Sequence, residues 1–124
     1  MANKKILIVE DEETLQKALS QYLQEEGFDI LSAMDGEKGI ELAKLKKPDL
    51  VLLDIILPKK DGFQVLEEIK KNESTKSIPV ILLTNLESMD DIQKAFDKGA
   101  TTYLVKSEYK LEDIVKKINE TLKK

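Results

Sequence analysis

The chain has 124 residues, with 24 acidic and 20 basic side chains and a formal net charge of −4. Every basic residue is a lysine, and cysteine, histidine and tryptophan are absent. This excludes disulfides, Cys/His zinc sites and Ser-His-Asp or Cys-His catalysis. The lysines are dispersed and arginine is missing, which argues against a nucleic-acid binder by removing the basic stripe and the bidentate phosphate reader. One domain over residues 1–124 is expected, large enough to bury about two-thirds of its unfolded surface. The four-residue apolar run near the N-terminus is too short for a signal peptide, and no segment approaches a membrane span. The expected location is the cytoplasm, without membrane contact.

In chain order, the first element is the apolar run Ile6 to Val9, read as a strand. Leu15, Ala18, Leu19, Tyr22 and Leu23 follow at helical spacing and predict one apolar stripe, with Gly27 as its C-cap. Phe28 to Ala33 is a weaker strand, and Gly36 to Lys46 a helix whose inward pair is Ile40 and Ala43. The run Leu50 to Leu53 is the third strand, and Phe63, Leu66 and Ile69 mark the third helix. Val80 to Leu83 is the fourth strand. Ser88 to Asp91 then resembles a capping box, with Asp in place of Glu, before a helix marked by Met89, Ile92 and Phe96 and closed by Gly99. Thr102 to Val105 is the fifth strand. Leu111, Ile114, Val115, Ile118 and Leu122 form the stripe of the last helix.

Unbroken apolar runs fit strands covered on both faces. Five strand–helix repeats therefore predict an α/β protein, a (βα)5 unit with a doubly wound parallel sheet. In such a sheet, ligands bind beyond the carboxyl ends of the strands. The residues next to the apolar runs are Glu10 and Asp11 (then Glu12 and Glu13), Asp54, Thr84 with Asn85, and Lys106 with Ser107. Three carboxylates, a hydroxyl and an ammonium would thus meet at one edge.

Clustered carboxylates repel one another unless a counter-charge sits among them. An all-oxygen set selects a hard cation, Mg²⁺ in particular. A carboxylate beside Mg²⁺ can attack a phosphoryl group and form an aspartyl-phosphate, and the charge developing on the phosphoryl oxygens calls for the metal, an ammonium and a hydroxyl donor. Each position also has a plainer reading. Glu10 to Glu13, taken alone, read better as the solvated start of a helix, where acids suit the positive end of the dipole. Thr84 alone reads as a strand-end hydroxyl and Lys106 alone as a surface lysine. Asp54 differs, because an acid ending a buried apolar run is costly without a partner. The joint placement of all four raises the chemical reading above the plain one.

With these residues in view, the chain resembles a response-regulator receiver domain of bacterial two-component signalling, of the stand-alone, chemotaxis-regulator-like type. The resemblance covers the chain from Lys5 to the last helix. It is carried by Ile6-Leu-Ile-Val-Glu10-Asp11-Glu, by Asp49-Leu-Val-Leu-Leu-Asp54-Ile-Ile-Leu-Pro58-Lys-Lys-Asp61-Gly62, by Pro79-Val-Ile-Leu-Leu-Thr84, and by Gly99-Ala-Thr-Thr-Tyr103-Leu-Val-Lys106. It implies a flavodoxin-like sheet of order 2-1-3-4-5. It further implies that Asp54 takes a phosphoryl group from a sensor histidine kinase or a histidine phosphotransfer protein. Asp11, Asp54, Glu10 through water and the backbone carbonyl of Ile56 would hold Mg²⁺. Lys106 and Thr84 would contact the phosphoryl oxygens, and Thr84 with Tyr103 would form a conformational switch. The plainer reading of Tyr103 is an amphipathic aromatic capping the sheet edge. Pro58, Asp61 and Gly62 would shape the loop after the acceptor and start the third helix.

Three features depart from the family pattern. Ser107 replaces the usual proline after the lysine; a cis bond there would cost about 3 kcal/mol more than before proline, which favours a trans bond and a differently shaped loop. Asn85 replaces a small residue and narrows access to the phosphoryl site. Ile56 and Leu86, two positions after Asp54 and Thr84, are apolar and flank the path of an attacking water, so slow self-dephosphorylation is expected. Kinase specificity is expected on the first helix near Glu13, Thr14, Lys17 and Gln21, and output at the face of the fourth helix, fifth strand and fifth helix. The protein would turn over no metabolite and is not expected to be an enzyme in that sense. The alternatives are a receiver-fold binding module that acts unphosphorylated, and a Mg²⁺-dependent aspartyl-phosphate phosphatase. The phosphatase ranks lower, since Ile56 stands where such enzymes place a general acid. A flavodoxin-like electron carrier is disfavoured because Glu10 to Glu13 would repel a flavin phosphate.

Overall fold

The computed structural model describes residues 3–55, 57, 61–84, 89–105 and 110–122, with 84 and 89–92 described by backbone alone. Strands and helices alternate: β1 (Lys5–Val9), α1 (Glu13–Glu25), β2 (Asp29–Ala33), α2 (Gly36–Lys46), β3 (Leu50–Asp54), α3 (Gly62–Lys71), β4 (Val80–Thr84), α4 (Met89–Asp97), β5 (Thr102–Val105) and α5 (Leu111–Leu122). All strand pairings are parallel, and the order is β2-β1-β3-β4-β5. Among the described residues, no helix is long and apolar enough to cross a membrane.

The apolar runs are continuous because successive side chains feed two separate cores. Ile6, Ile8, Leu50, Leu52, Ile81 and Leu83 pack with Leu19 and Leu23 of α1 and with Ile114 and Ile118 of α5. Leu7, Val9, Val51, Leu53, Val80 and Leu82 pack on the opposite face with Ile40 and Ala43 of α2, Val65, Leu66 and Ile69 of α3, and Ala95 of α4. The register aligns Val9 with both Ala33 and Leu53, and Leu53 with Leu82. The chain segments leaving β1 and β3 therefore emerge side by side at one edge.

Both helix ends assigned to glycine close in the same way. At Gly27 (φ 98°) the amides of Gly27 and Phe28 donate to the carbonyls of Gln24 and Leu23. At Gly99 (φ 108°) the amides of Gly99 and Ala100 donate to Phe96 and Ala95. This paired closure needs a residue at positive φ.

Four details differ from the sequence reading. Asp54 is the last residue of β3, paired with Leu83, rather than the residue after the strand; a backbone ladder is indifferent to side-chain polarity. In α1, Ala18 is exposed and Gln16 is buried in its place. Val65 joins Leu66 and Ile69 as a fully buried residue of α3. In α4, Ala95 is buried whereas Phe96 is 39% exposed, its ring set edge to face against Tyr103. The proposed capping serine, Ser88, lies outside the described residues.

Candidate metal and phosphoryl site

The end of β1 delivers Glu10 and Asp11, and the end of β3 delivers Asp54. One carboxylate oxygen from each lies within 4.8 Å of the other two. Glu10 is fully buried, Asp54 is nearly so, and Asp11 is exposed. One acid thus opens to solvent while two stand on the rigid sheet edge. Oxygens within this separation, in a sequence without histidine or cysteine, suit one hard cation that retains part of its water shell.

Glu10 is fixed at several points. Its backbone N–H donates to the carbonyl of Ala33 at 3.0 Å, and its Oε2 accepts from the backbone N–H of Glu12 at 3.0 Å. The first turn of α1 therefore holds the carboxylate from the outer side. Glu12 is the N-cap of that helix but makes no side-chain cap. The run Glu10 to Glu13 thus divides into one buried acid and three exposed ones.

The segment after Asp54 returns directly onto it. Gly62, the first residue of α3, donates its N–H to the carbonyl of Ile55 at 2.6 Å. A Cβ at Gly62 would lie 2.4 Å from Ile55 Cα and 2.6 Å from the carbonyl oxygen of Asp54, so only glycine permits this approach. Asp61 is the N-cap of α3: its side chain accepts from Gln64 N at 2.9 Å, and Gln64 Oε1 accepts from Asp61 N at 3.1 Å. This reciprocal capping box ties the helix start to the acceptor strand.

Thr84 ends β4, its Cα paired with that of Val105 at the end of β5. Tyr103 lies in β5 opposite Leu82 and is half-buried against the α2–α4 core. Its ring meets Phe96 edge to face, with centroids 6.0 Å apart and planes at 77°. Lys106, Ser107, Ile56, Pro58, Asn85 and Leu86 lie outside the described residues, as does the side chain of Thr84. The acidic trio and the Gly62 contact are therefore brought together here, and the expectations for the lysine, for the bond after it and for the water path concern residues beyond this description.

Two residues escaped the sequence reading. Gln16 is 5% exposed and donates from Nε2 to the carbonyls of Ile8 (3.1 Å), Glu10 (3.2 Å) and Ala33 (3.2 Å). The signal available was its place at i, i+3 and i+7 with Leu19 and Leu23, a polar residue on an inward face. Phe96 read as core, whereas it is the partner of Tyr103.

Away from the site, Lys98 of the α4 C-terminus pairs with Glu67 of α3, and this hydrogen bond and charge hold the Glu67 carboxyl below its ordinary value. Lys70 reaches across to the carbonyls of Lys76 (3.2 Å) and Ile78 (2.6 Å), and its burial lowers its affinity for a proton.

The sequence profile of the response regulator receiver domain family matches residues 6–119. The chain is 40% identical over 120 residues to the transcriptional regulatory protein CiaR of Streptococcus pneumoniae, a match covering 97% of this chain and 52% of that protein. It is 38% identical over 120 residues to the DNA-binding dual master transcriptional regulator RpaA of Synechocystis, covering 97% and 49%. The chain thus spans about half the length of these relatives. A CheY-like receiver domain protein from Methanospirillum hungatei superposes with a TM-score of 0.92 at 28% identity, covering 98% of this chain and 95% of that one. The receiver domain of a sensor histidine kinase from Pseudomonas aeruginosa, whose structure has a magnesium ion coordinated in the active site cleft, gives 0.90 at 26% identity and covers 99% and 100%. On its sheet order, its acidic trio and these matches, the chain belongs to the response regulator receiver domain family of two-component signalling.

Proposed function

We propose that this receiver accepts a phosphoryl group on Asp54 in a Mg²⁺-dependent reaction, with a sensor histidine kinase or a histidine phosphotransfer protein as donor. The observation that carries the reading is the convergence of Glu10, Asp11 and Asp54 at the carboxyl edge of the sheet. An Asp54 Oδ atom attacks phosphorus. The new O–P bond forms as the N–P bond of phosphohistidine breaks, and the departing imidazole takes up a proton. When bound, Mg²⁺ neutralises charge on the phosphoryl oxygens. Asp11 and Asp54 would hold it, with Glu10 acting through water, and the family resemblance adds the backbone carbonyl of Ile56 as a further ligand. Lys106 and Thr84 stabilise the remaining phosphoryl oxygens.

Phosphorylation shifts a two-state element comprising Thr84 and Tyr103. The half-buried position of Tyr103, against the exposed Phe96 at the α4–β5 face, supports that reading. Glu13, Thr14, Lys17 and Gln21 are exposed on α1, as docking to a kinase requires. Output is read at the α4–β5–α5 face. The protein modifies itself, turns over no metabolite and works in the cytoplasm.

The test is the intact mass of the protein after incubation with acetyl phosphate. A gain of one phosphoryl group that requires Mg²⁺ and is lost in Asp54→Ala supports the proposal. No gain in the parent chain points instead to a receiver that acts as an unphosphorylated binding module. Turnover of added phosphate monoesters would favour the phosphatase.

A further inference from the structure

We propose that Gln16 is a positioning residue of the metal site: its buried carboxamide fixes the backbone of Glu10, and through it the Glu10 carboxylate that helps hold Mg²⁺. The inference rests on the functional reading above and adds to it a residue outside the acidic trio.

At the carboxyl edge of a parallel sheet, terminal strand carbonyls run out of ladder partners and must find donors elsewhere. Three carbonyls near this edge converge on Gln16 Nε2: Ile8 within β1, Glu10 just beyond it, and Ala33 at the end of β2, whose oxygen also accepts from the Glu10 N–H. The two N–H groups are therefore shared among three acceptors, and a single side chain joins two strand ends. The Ser20 hydroxyl donates to Gln16 Oε1 at 3.2 Å and lies 3.3 Å from Ser32 Oγ of β2. This contact sets which end of the amide faces the carbonyls. The three bonds from the Gln16 carboxamide to the carbonyls are buried, and the serine pair lies toward the surface.

The consequence falls on Glu10. Its N–H is held by Ala33, its carbonyl by Gln16 and its Oε2 by the amide of Glu12. Removing Gln16 takes a donor from the carbonyls of Ile8, Glu10 and Ala33, of which Ala33 still accepts from the Glu10 N–H, so the strand-end backbone that aims this carboxylate loses one of its restraints. Outer-sphere groups that orient a ligand typically alter metal affinity by about 10–100-fold when removed. Because Glu10 acts together with Asp11 and Asp54, the lower end of that range applies.

The decisive variant is Gln16→Met, which keeps the length and apolar bulk of the side chain and deletes both donors. Mg²⁺ affinity is read from a ¹H–¹⁵N NMR titration, well below the melting temperature of each protein. The expected result is a Kd for Mg²⁺ raised about tenfold. The Mg²⁺ concentration for half-maximal phosphorylation by acetyl phosphate should rise in parallel, while the rate at saturating Mg²⁺ changes less than about twofold. A role confined to stability would lower the melting temperature and leave the Kd where it was. Should Gln16→Met fail to fold, Ser20→Ala removes only the bond that orients the amide, and a Kd raised about threefold is then expected. A Kd within about twofold of the parent in a folded variant, or a lower rate at saturating Mg²⁺ with unchanged Kd, overturns the proposal. A parent chain that binds no Mg²⁺ overturns the metal reading itself, which distinguishes the two failures.

Discussion

Substituting Gly62 tests how closely the fold of the acceptor loop is tied to its chemistry. An alanine Cβ there would sit 2.4 Å from Ile55 Cα and 2.6 Å from the Asp54 carbonyl oxygen, where ordinary contact begins near 3.4 Å. The obstructing atoms are backbone, so about 1 Å of movement must be shared between α3 and the end of β3. Overpacking of this kind costs about 1–3 kcal/mol, against which alanine regains about 0.5–1 kcal/mol of helix preference. A net loss near 1–2 kcal/mol should lower the melting temperature by several degrees in a domain of this size. Displacing the acceptor by such a distance should also slow phosphorylation by as much as about 100-fold. Gly27→Ala is the matched control. Gly27 has φ 98° and nothing within 4 Å of a Cβ, so the cost, about 1–2 kcal/mol, is backbone strain alone. The two variants should melt alike in circular dichroism, while only Gly62→Ala loses phosphorylation rate from acetyl phosphate. Equal rates in the two proteins would refute the claim that Gly62 places Asp54.

Other consequences concern the switch, acid stability and the lifetime of the modified state. Phe96→Ala removes the edge-to-face partner of Tyr103, an interaction of about 1 kcal/mol. It should change the balance of Tyr103 rotamers about fivefold, and unchanged tyrosine side-chain NMR shifts would count against that contact. Glu67 has a carboxyl pKa held below the ordinary 4.5, first by its hydrogen bond to Lys98 and then by that lysine's charge. The folded state thus binds fewer protons there, so this stabilisation is complete above pH 4.5 and is lost as pH falls through the lower folded value. Glu67→Gln should flatten the acid limb of the stability curve, and an identical limb would show that the pair contributes nothing. Ile56→Asn combined with Leu86→Glu should accelerate loss of the phosphoryl group by placing polar side chains where water attacks; an unchanged half-life would sink that account.

The strands were legible because both sheet faces are covered, so Ile6 to Val9, Leu50 to Leu53 and Val80 to Leu83 carry no polar interruption to hide them. Asp54 stood out for the same reason, as an acid ending an unbroken apolar run. Amphipathic spacing was a weaker guide to the helices, because it scores hydrophobicity rather than fit. It placed Ala18 inward, although Gln16 is the residue that the strand-end carbonyls require. It also treated Phe96 as core, although the small Ala95 fills that space and frees the ring for Tyr103. The role of Gly62 depends on a contact with Ile55 across a loop, and helical spacing carries no trace of it. One of the three carbonyls that Gln16 meets, that of Ala33, comes from β2, 17 residues away, which no local window reports.

The most direct measurement is to locate the modification itself. After incubation with acetyl phosphate and Mg²⁺, borohydride reduction converts an aspartyl-phosphate to homoserine, which peptide mass spectrometry assigns to one position. The account predicts homoserine at position 54, formed only when Mg²⁺ is present. Homoserine at another aspartate, or none under conditions that hold the protein folded, would contradict it.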